Sequence, residues 1–245
     1  MVLQYAEGRN FNYWMNNNSK YFNWLIKLKV LSSIISGLKE IHQKQMVHRD
    51  FHIGNILFKE IHLFTSNYIS DMGLCGEIGN IDETNIYGVV PYVAPEVLRG
   101  KTYTQAADIY SFGMIMYFIA TEKQPFSNCA HDHLLVIDIC KGIRPEINEL
   151  EAPKCYIDLM KKCWDSNPIN RPNASEIEKF IILFHNSYCS RETTRLVRFD
   201  SEPILLKKPS QTGSVLVTSV QIRARLQIQC FIFNSWFYDS GEAFK

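Results

Sequence analysis

The sequence has no C-x-x-C pair, and its seven cysteines (75, 129, 140, 155, 163, 189 and 230) are an odd number spread along the chain. That excludes a zinc ribbon and a disulfide framework, and it predicts a reducing, cytoplasmic setting. It has no excess of either charge: 26 Lys and Arg stand against 25 Asp and Glu, a formal net charge of +1. Without a basic surplus there is no electrostatic footprint for nucleic acid or an anionic membrane, and neither is expected as a partner. Long apolar runs are missing as well. The longest, Ile109–Ala120, is too short to span a bilayer, and Met1–Glu7 has no basic start leading into an apolar stretch, so no signal peptide is expected. What is present is enough apolar material for a sizeable core, 46% of 245 residues, with 21% charged.

Helical spacing is clearest from Tyr21 to His42, where Trp24, Leu28, Leu31, Ile35, Leu38 and Ile41 recur at intervals of three and four. The segment Ala106–Thr121 is apolar nearly all round and is expected to be a helix buried on every side. Further amphipathic helices fit Asp132–Cys140, Cys155–Trp164 and Ala174–His185, and the strand candidates are short: Val2–Tyr5, Asn55–Phe58 and Tyr68–Ser70. Trp14, Trp24 and Trp164 read as core, and Asn16-Asn17-Asn18 as a solvated turn. The fold class is therefore mainly α with a little β. Beyond Ser187 the periodicity gives way to Ser201-Glu202-Pro203 and Lys207-Lys208-Pro209-Ser210, which read as linker, and then to strand-like stretches near 215–222 and 228–233. A division into 1–187 and an unassigned tail, 188–245, follows.

The segment most informative about chemistry is His48-Arg49-Asp50-Phe51-His52-Ile53-Gly54-Asn55-Ile56-Leu57, between the long helix and a short strand. An Asp and an Asn five residues apart can face one site from opposite ends of such a loop. The carboxylate can take a proton from a hydroxyl, and the amide oxygen can bind a hard cation. Asp71, opening Asp71-Met72-Gly73 after the next strand candidate, adds a second hard oxygen donor of the kind Mg²⁺ takes when it bridges phosphates.

His48-Arg49-Asp50 with Asn55 resembles the catalytic loop of the protein kinase family, and Asp71-Met72-Gly73 resembles its magnesium-binding triplet. Ala94-Pro95-Glu96 looks like the close of the activation segment. Asp108-Ile109-Tyr110-Ser111-Phe112-Gly113 resembles the start of the buried large-lobe helix, and Asn167–Pro172 after Cys163-Trp164 is similar to the tyrosine-kinase-like and receptor-type groups. These motifs stand in the family's order, which a single triplet could not establish. The resemblance implies a kinase C-terminal lobe starting at the hinge, with ATP and Mg²⁺ as cofactors and a protein as substrate. By the same resemblance Asp50 is the catalytic base, Asn55 and Asp71 hold the metal, and Asp108 bonds the backbone of the catalytic loop. Arg49 is expected to meet a phosphorylated activation segment, and Glu96 pairs with Arg171 as a brace. Leu3 falls at the gatekeeper position, the backbones of Gln4 and Ala6 face adenine, Leu57 lies beneath the base, and Asn10 is placed for the ribose. His48 reads as packing behind the loop.

The chain departs from the family's pattern in three respects. No G-x-G-x-x-G occurs, and the residues begin in the strand leading to the hinge, so the small lobe is absent from this sequence and weak transfer by the fragment alone is expected. His52 and Val89 stand where serine/threonine kinases carry a lysine and a threonine. Serine or threonine remains the favoured acceptor. The alternative is a non-catalytic, pseudokinase-like module that binds a partner kinase or scaffold. Small-molecule phosphotransfer is disfavoured by the Ala94-Pro95-Glu96 closure. Between Met72 and Pro91 the hydroxyl-bearing side chains are Thr84 and Tyr87. A phosphate adds about −1.5 to −2 charges that Arg49 can meet. Phosphopeptide mapping of the active protein is expected to find Thr84 modified in preference to Tyr87; an active protein unmodified at both would refute this.

Overall fold

Helix α4 (Gln105–Thr121) is the axis of the structure: every residue from Ala107 to Ala120 is buried. The computed structural model describes residues 6–60, 67–77 and 87–200. The strand expected at Val2–Tyr5, with Leu3 and Gln4, lies outside them, as do Thr84 and the strand-like stretches of the tail. Two polar side chains near the start of α4, Asp108 and Ser111, are engaged. Ser111 Oγ donates to the carbonyl of Tyr92 at 2.7 Å, and Asp108 accepts bonds from the loop described below.

The other helices are α1 (Phe11–Asn18), α2 (Trp24–Gln43), the single turn α3 (Pro95–Leu98), α5 (His133–Lys141), α6 (Lys154–Cys163) and α7 (Ala174–Asp200). Of these, α2 and α6 lie directly against this axis, α7 packs on α2 and α5 on α3. Helix α2 buries Leu28, Leu31, Ile34, Ile35 and Leu38 completely and lies against α4 on one side and α7 on another. The N-termini of α2, α5 and α7 are capped by side chains that the sequence places there. Asn23 Oδ1 accepts from Ile26 N at 3.2 Å, Asp132 Oδ1 from Leu134 N at 2.9 Å, and Asn173 and Glu176 close a reciprocal box ahead of α7. No helix among the described residues is long and apolar enough to cross a membrane.

Four short strands form two antiparallel pairs. β1 (Met46–Val47) pairs with β4 (Gly76–Glu77), and β2 (Ile56–Phe58) pairs with β3 (Asn67–Ile69), with Ile56 opposite Ile69 and Leu57 opposite Tyr68. Residues 7–10 run alongside β2: Gly8 N donates to Phe58 O at 3.0 Å and Phe58 N to Arg9 O at 2.9 Å. The backbones are so close that a Cβ on Gly8 would lie 2.6 Å from Phe58 Cβ, so only glycine fits. Below, Trp14 stacks on Phe58 with ring centroids 4.3 Å apart, and Phe11 meets Phe118 edge-on at 5.2 Å. This aromatic cluster fixes β2 to α1 and α4.

The structure corrects several expectations. The Asn16–Asn18 run is the last turn of α1 rather than a solvated turn. Asn18 is buried and its Nδ2 donates to Trp14 O at 2.8 Å, so tertiary burial overrides the low helix propensity of asparagine. The helix expected from Tyr21 starts at Trp24, because Asn23 caps it and Ser19–Tyr21 form a separate 3₁₀ turn. The helix expected to end near His185 continues to Asp200, so position 188 lies inside α7. Nothing between His185 and Asp200 is a glycine or proline that would stop it.

A buried ion pair ties α3 to the loop after α6. Arg171 meets Glu96 through two parallel bonds of 2.7 Å, and its remaining donors reach Ala106 O and Asp165 O, each at 2.8 Å. Replacing Glu96 with Ala would leave a buried guanidinium without its carboxylate. We expect a loss of about 3–5 kcal/mol of stability in urea unfolding, partly recovered in the Glu96→Met/Arg171→Met double variant.

Candidate active site

The loop between β1 and β2 is shaped from behind by Asp108. Its Oδ1 accepts from Arg49 N at 3.0 Å, and its Oδ2 accepts from His48 N at 2.8 Å and lies 2.9 Å from His42 Nε2. Arg49 has φ 74°, a left-handed backbone that a non-glycine residue adopts only at a cost of about 1–2 kcal/mol. The pair of bonds to Asp108 offsets that cost, and Asp50 follows directly from that turn. His48 is fully buried: Nδ1 accepts from Asp50 N at 3.3 Å and Nε2 donates to Ser70 O at 3.0 Å. It packs behind the loop, as the sequence suggested.

Asp50 and Asn55 meet at the front. Asn55 Nδ2 donates to the backbone carbonyl of Asp50 at 2.8 Å and to its Oδ2 at 3.0 Å, which fixes the carboxylate plane. The other carboxylate oxygen, Oδ1, is buried and has no hydrogen-bond donor among the described residues. His52 Nε2 lies 3.2 Å from it, in ion-pair range but off line for a hydrogen bond. Burial holds the His52 imidazole below its ordinary pKa of 6.5, outweighing the attraction of Asp50. A Cβ on Gly88 would sit 3.3 Å from Asp50 Oδ1, which places the Gly88-Val89 backbone beside that oxygen.

Asp71 is brought to the same place by strand pairing. Ser70 N donates to Asn55 O at 2.8 Å, next to the Ile56–Ile69 pair, so Asp71 follows directly from a residue bonded to Asn55. Asp71 is exposed, with φ 58°, a left-handed conformation that aspartate tolerates better than most residues. Because Asn55 Nδ2 is committed to Asp50, its Oδ1 faces away, and no donor among the described residues reaches it or the Asp71 carboxylate. Two such hard oxygens suit a magnesium ion that keeps several of its waters.

Of the residues expected to hold nucleotide, Leu57 is half-buried on β2 and bridges to Asn10. Ala6 begins the turn whose carbonyl accepts from Arg9 N at 3.0 Å. Asn10 Oδ1 caps α1 by accepting from Tyr13 N at 3.0 Å. Leu3 and Gln4 lie outside the described residues. Arg49 reaches the segment after Asp71, its Nη1 donating to Leu74 O at 3.1 Å. One residue that sequence reasoning passed over is Tyr103. Its hydroxyl accepts from Tyr87 N at 2.7 Å and donates to Tyr87 O, clamping the backbone just ahead of Gly88. A tyrosine in a loop carries no motif that would have marked it.

Comparison with known proteins decides the family. The model of the protein kinase domain matches residues 1–180. The chain belongs to the protein kinase family. A probable serine/threonine-protein kinase of Dictyostelium discoideum is 28% identical over 191 residues, covering 70% of this chain and 12% of that protein. The probable serine/threonine-protein kinase pats1 of the same organism is 30% identical over 187 residues, 74% of this chain and 6% of the relative. Receptor-interacting serine/threonine-protein kinase 1 of Homo sapiens is 28% identical over 225 residues, 84% of this chain and 32% of the relative. The chain thus spans between 6% and 32% of the length of these relatives. The mostly helical architecture is that of a kinase C-terminal lobe, and the loop, the triplet and the buried brace all fall within the matched residues.

In this kinase lobe the Tyr103 hydroxyl is the hold on the strip beside Asp50. Tyr103→Phe removes both bonds, and we expect the Tyr87 amide to exchange with solvent about tenfold faster, at a cost of roughly 1 kcal/mol in stability. An unchanged exchange rate would show the clamp to be dispensable.

Proposed function

We propose that the site transfers the terminal phosphoryl group of ATP to a hydroxyl of a protein, serine or threonine in preference to tyrosine. The observation that carries this is the state of Asp50: one carboxylate oxygen is tied to Asn55, while the other is buried without a donor beside the Gly88-Val89 strip. Such an oxygen accepts a hydroxyl proton as the hydroxyl oxygen attacks phosphorus, and its fixed plane orients that hydroxyl. Asn55 Oδ1 and Asp71 are the residues that would hold Mg²⁺, which when bound offsets charge on the phosphates. Ala6 and Leu57, with Leu3 and Gln4, would hold the adenine, and Asn10 would lie near the ribose. The preference for serine and threonine is supported by the names of the relatives, which are serine/threonine kinases. The setting proposed is the cytoplasm, with a protein substrate and a partner kinase or scaffold.

No G-x-G-x-x-G loop is among the 245 residues, and phosphoryl transfer depends almost wholly on positioning and charge. The polypeptide by itself is therefore proposed to transfer little. Joined to a kinase small lobe ahead of Met1, it is expected to gain nucleotide affinity and then turnover. In that form Asp50→Asn should lower transfer by about 100-fold or more while sparing ATP binding, and Asp71→Asn should weaken Mg²⁺-dependent binding too. Transfer that survives Asp50→Asn would overturn the assignment of the base. Absence of transfer in the joined protein would favour a non-catalytic binding module.

A further inference from the structure

His52 occupies the site without a role in the reading given so far. Its ring is fixed from two sides. Nδ1 accepts from Gly54 N at 3.0 Å, and the phenol ring of Tyr92 lies with its centroid 6.0 Å away. The ring sits directly over Gly54: a Cβ there would fall 2.5 Å from His52 Cε1 and 2.8 Å from Nδ1, so any larger residue must displace the ring. An imidazole nitrogen that accepts an amide N–H carries no proton of its own, so a neutral ring must bear its hydrogen on Nε2. That nitrogen is the one facing Asp50 Oδ1 at 3.2 Å. The tautomer is therefore dictated by a backbone amide two residues on, and the resulting N–H is presented to the carboxylate obliquely.

We propose that His52 is a positioning residue for Asp50: the Gly54 amide sets it as the Nε2–H tautomer, and that N–H steadies the Oδ1 side of the carboxylate electrostatically, without a hydrogen bond, while Asn55 bonds the Oδ2 side. The inference deepens the phosphoryl-transfer reading and rests on it for its purpose, but its geometry can be tested without turnover. An oblique N–H steadies the carboxylate electrostatically and leaves Oδ1 an acceptor direction for a substrate hydroxyl. A linear bond from a lysine would occupy that direction more fully and would bring a full charge. The loop thus keeps its base aligned with a neutral donor, and the requirement for glycine at position 54 follows from the space the ring needs.

The test is ¹⁵N NMR of the histidine-labelled 245-residue chain at pH 7.5, with side-chain amide exchange of Asn55 measured on the same protein. The expected result for His52 is a protonated Nε2 and an unprotonated Nδ1. His52→Leu should speed exchange of the Asn55 side-chain amide about tenfold, because Asp50 loses one of its two holds, and His52→Gln should restore most of the protection through its own amide N–H. Gly54→Ala, which displaces the ring without deleting it, should blur the tautomer signature and loosen Asn55 to a similar degree. An Nδ1–H tautomer in the unmodified chain, or an Asn55 amide that does not respond to His52→Leu, would overturn the proposal. Should His52→Leu fail to fold, an unaltered tautomer in Gly54→Ala would do the same. A chain that shows the expected signature yet transfers no phosphate when joined to a small lobe would overturn only the functional reading.

Discussion

The Asp108 carboxylate, almost wholly removed from water on the first turn of α4, receives two backbone amides of the catalytic loop, and His42 Nε2 lies against it as well. A carboxylate at such a depth is tolerated only when its oxygens are met by donors, and here those donors include the backbone of the loop that carries Asp50 and Asn55. The arrangement works in both directions. The loop supplies the hydrogen bonds that let Asp108 be buried, and Asp108 holds Arg49 in a left-handed conformation that the chain would otherwise leave. Asp50 follows directly from the turn in which Arg49 is held.

From that anchor the site is assembled by close approaches of backbone. Asn55 bonds Asp50 from the far end of the loop, Ser70 bonds Asn55, and Asp71 follows one residue further on. Three glycines lie at close approaches around the site. Gly8 lets residues 7–10 run against β2, Gly54 gives the His52 ring its place, and Gly88, with φ 100°, brings the activation strip beside Asp50. In each case a Cβ would stand in the space used by a neighbouring group, so the glycine reflects crowding as much as backbone freedom. The aromatic stack of Trp14 on Phe58 then carries this small sheet on the helical core, which separates a rigid floor from the exposed Asp71-Met72-Gly73 turn.

Much of this was legible in the linear sequence. The buried character of α4 follows from the run Ile109–Ala120, since a helix without a polar face has nowhere to lie but inside. The Glu96–Arg171 brace and the protein kinase family were readable from motifs, because the family holds particular residue types at set spacing. Less was legible where packing competes with local preference. Three successive asparagines argue against a helix, yet Asn18 completes α1 by turning its amide onto Trp14 O in the interior. The length of α7 was likewise hidden, because fading amphipathicity suggested an end where no breaking residue exists.

The sequence alone determined which groups are available: two carboxylates and an asparagine amide, a buried helix and a histidine where a lysine would be usual. Those are properties of side-chain chemistry and of periodicity, and they survive without coordinates. Only the tertiary structure decided how they are used. That His52 turns its Nδ1 to Gly54 and its Nε2 to Asp50, that Tyr103 grips the backbone of Tyr87, and that Asp50 keeps one oxygen without a donor are outcomes of long-range packing. Such contacts depend on orientation within a few tenths of an ångström, and no pattern along a chain encodes the direction of a hydrogen bond between elements that meet only after folding.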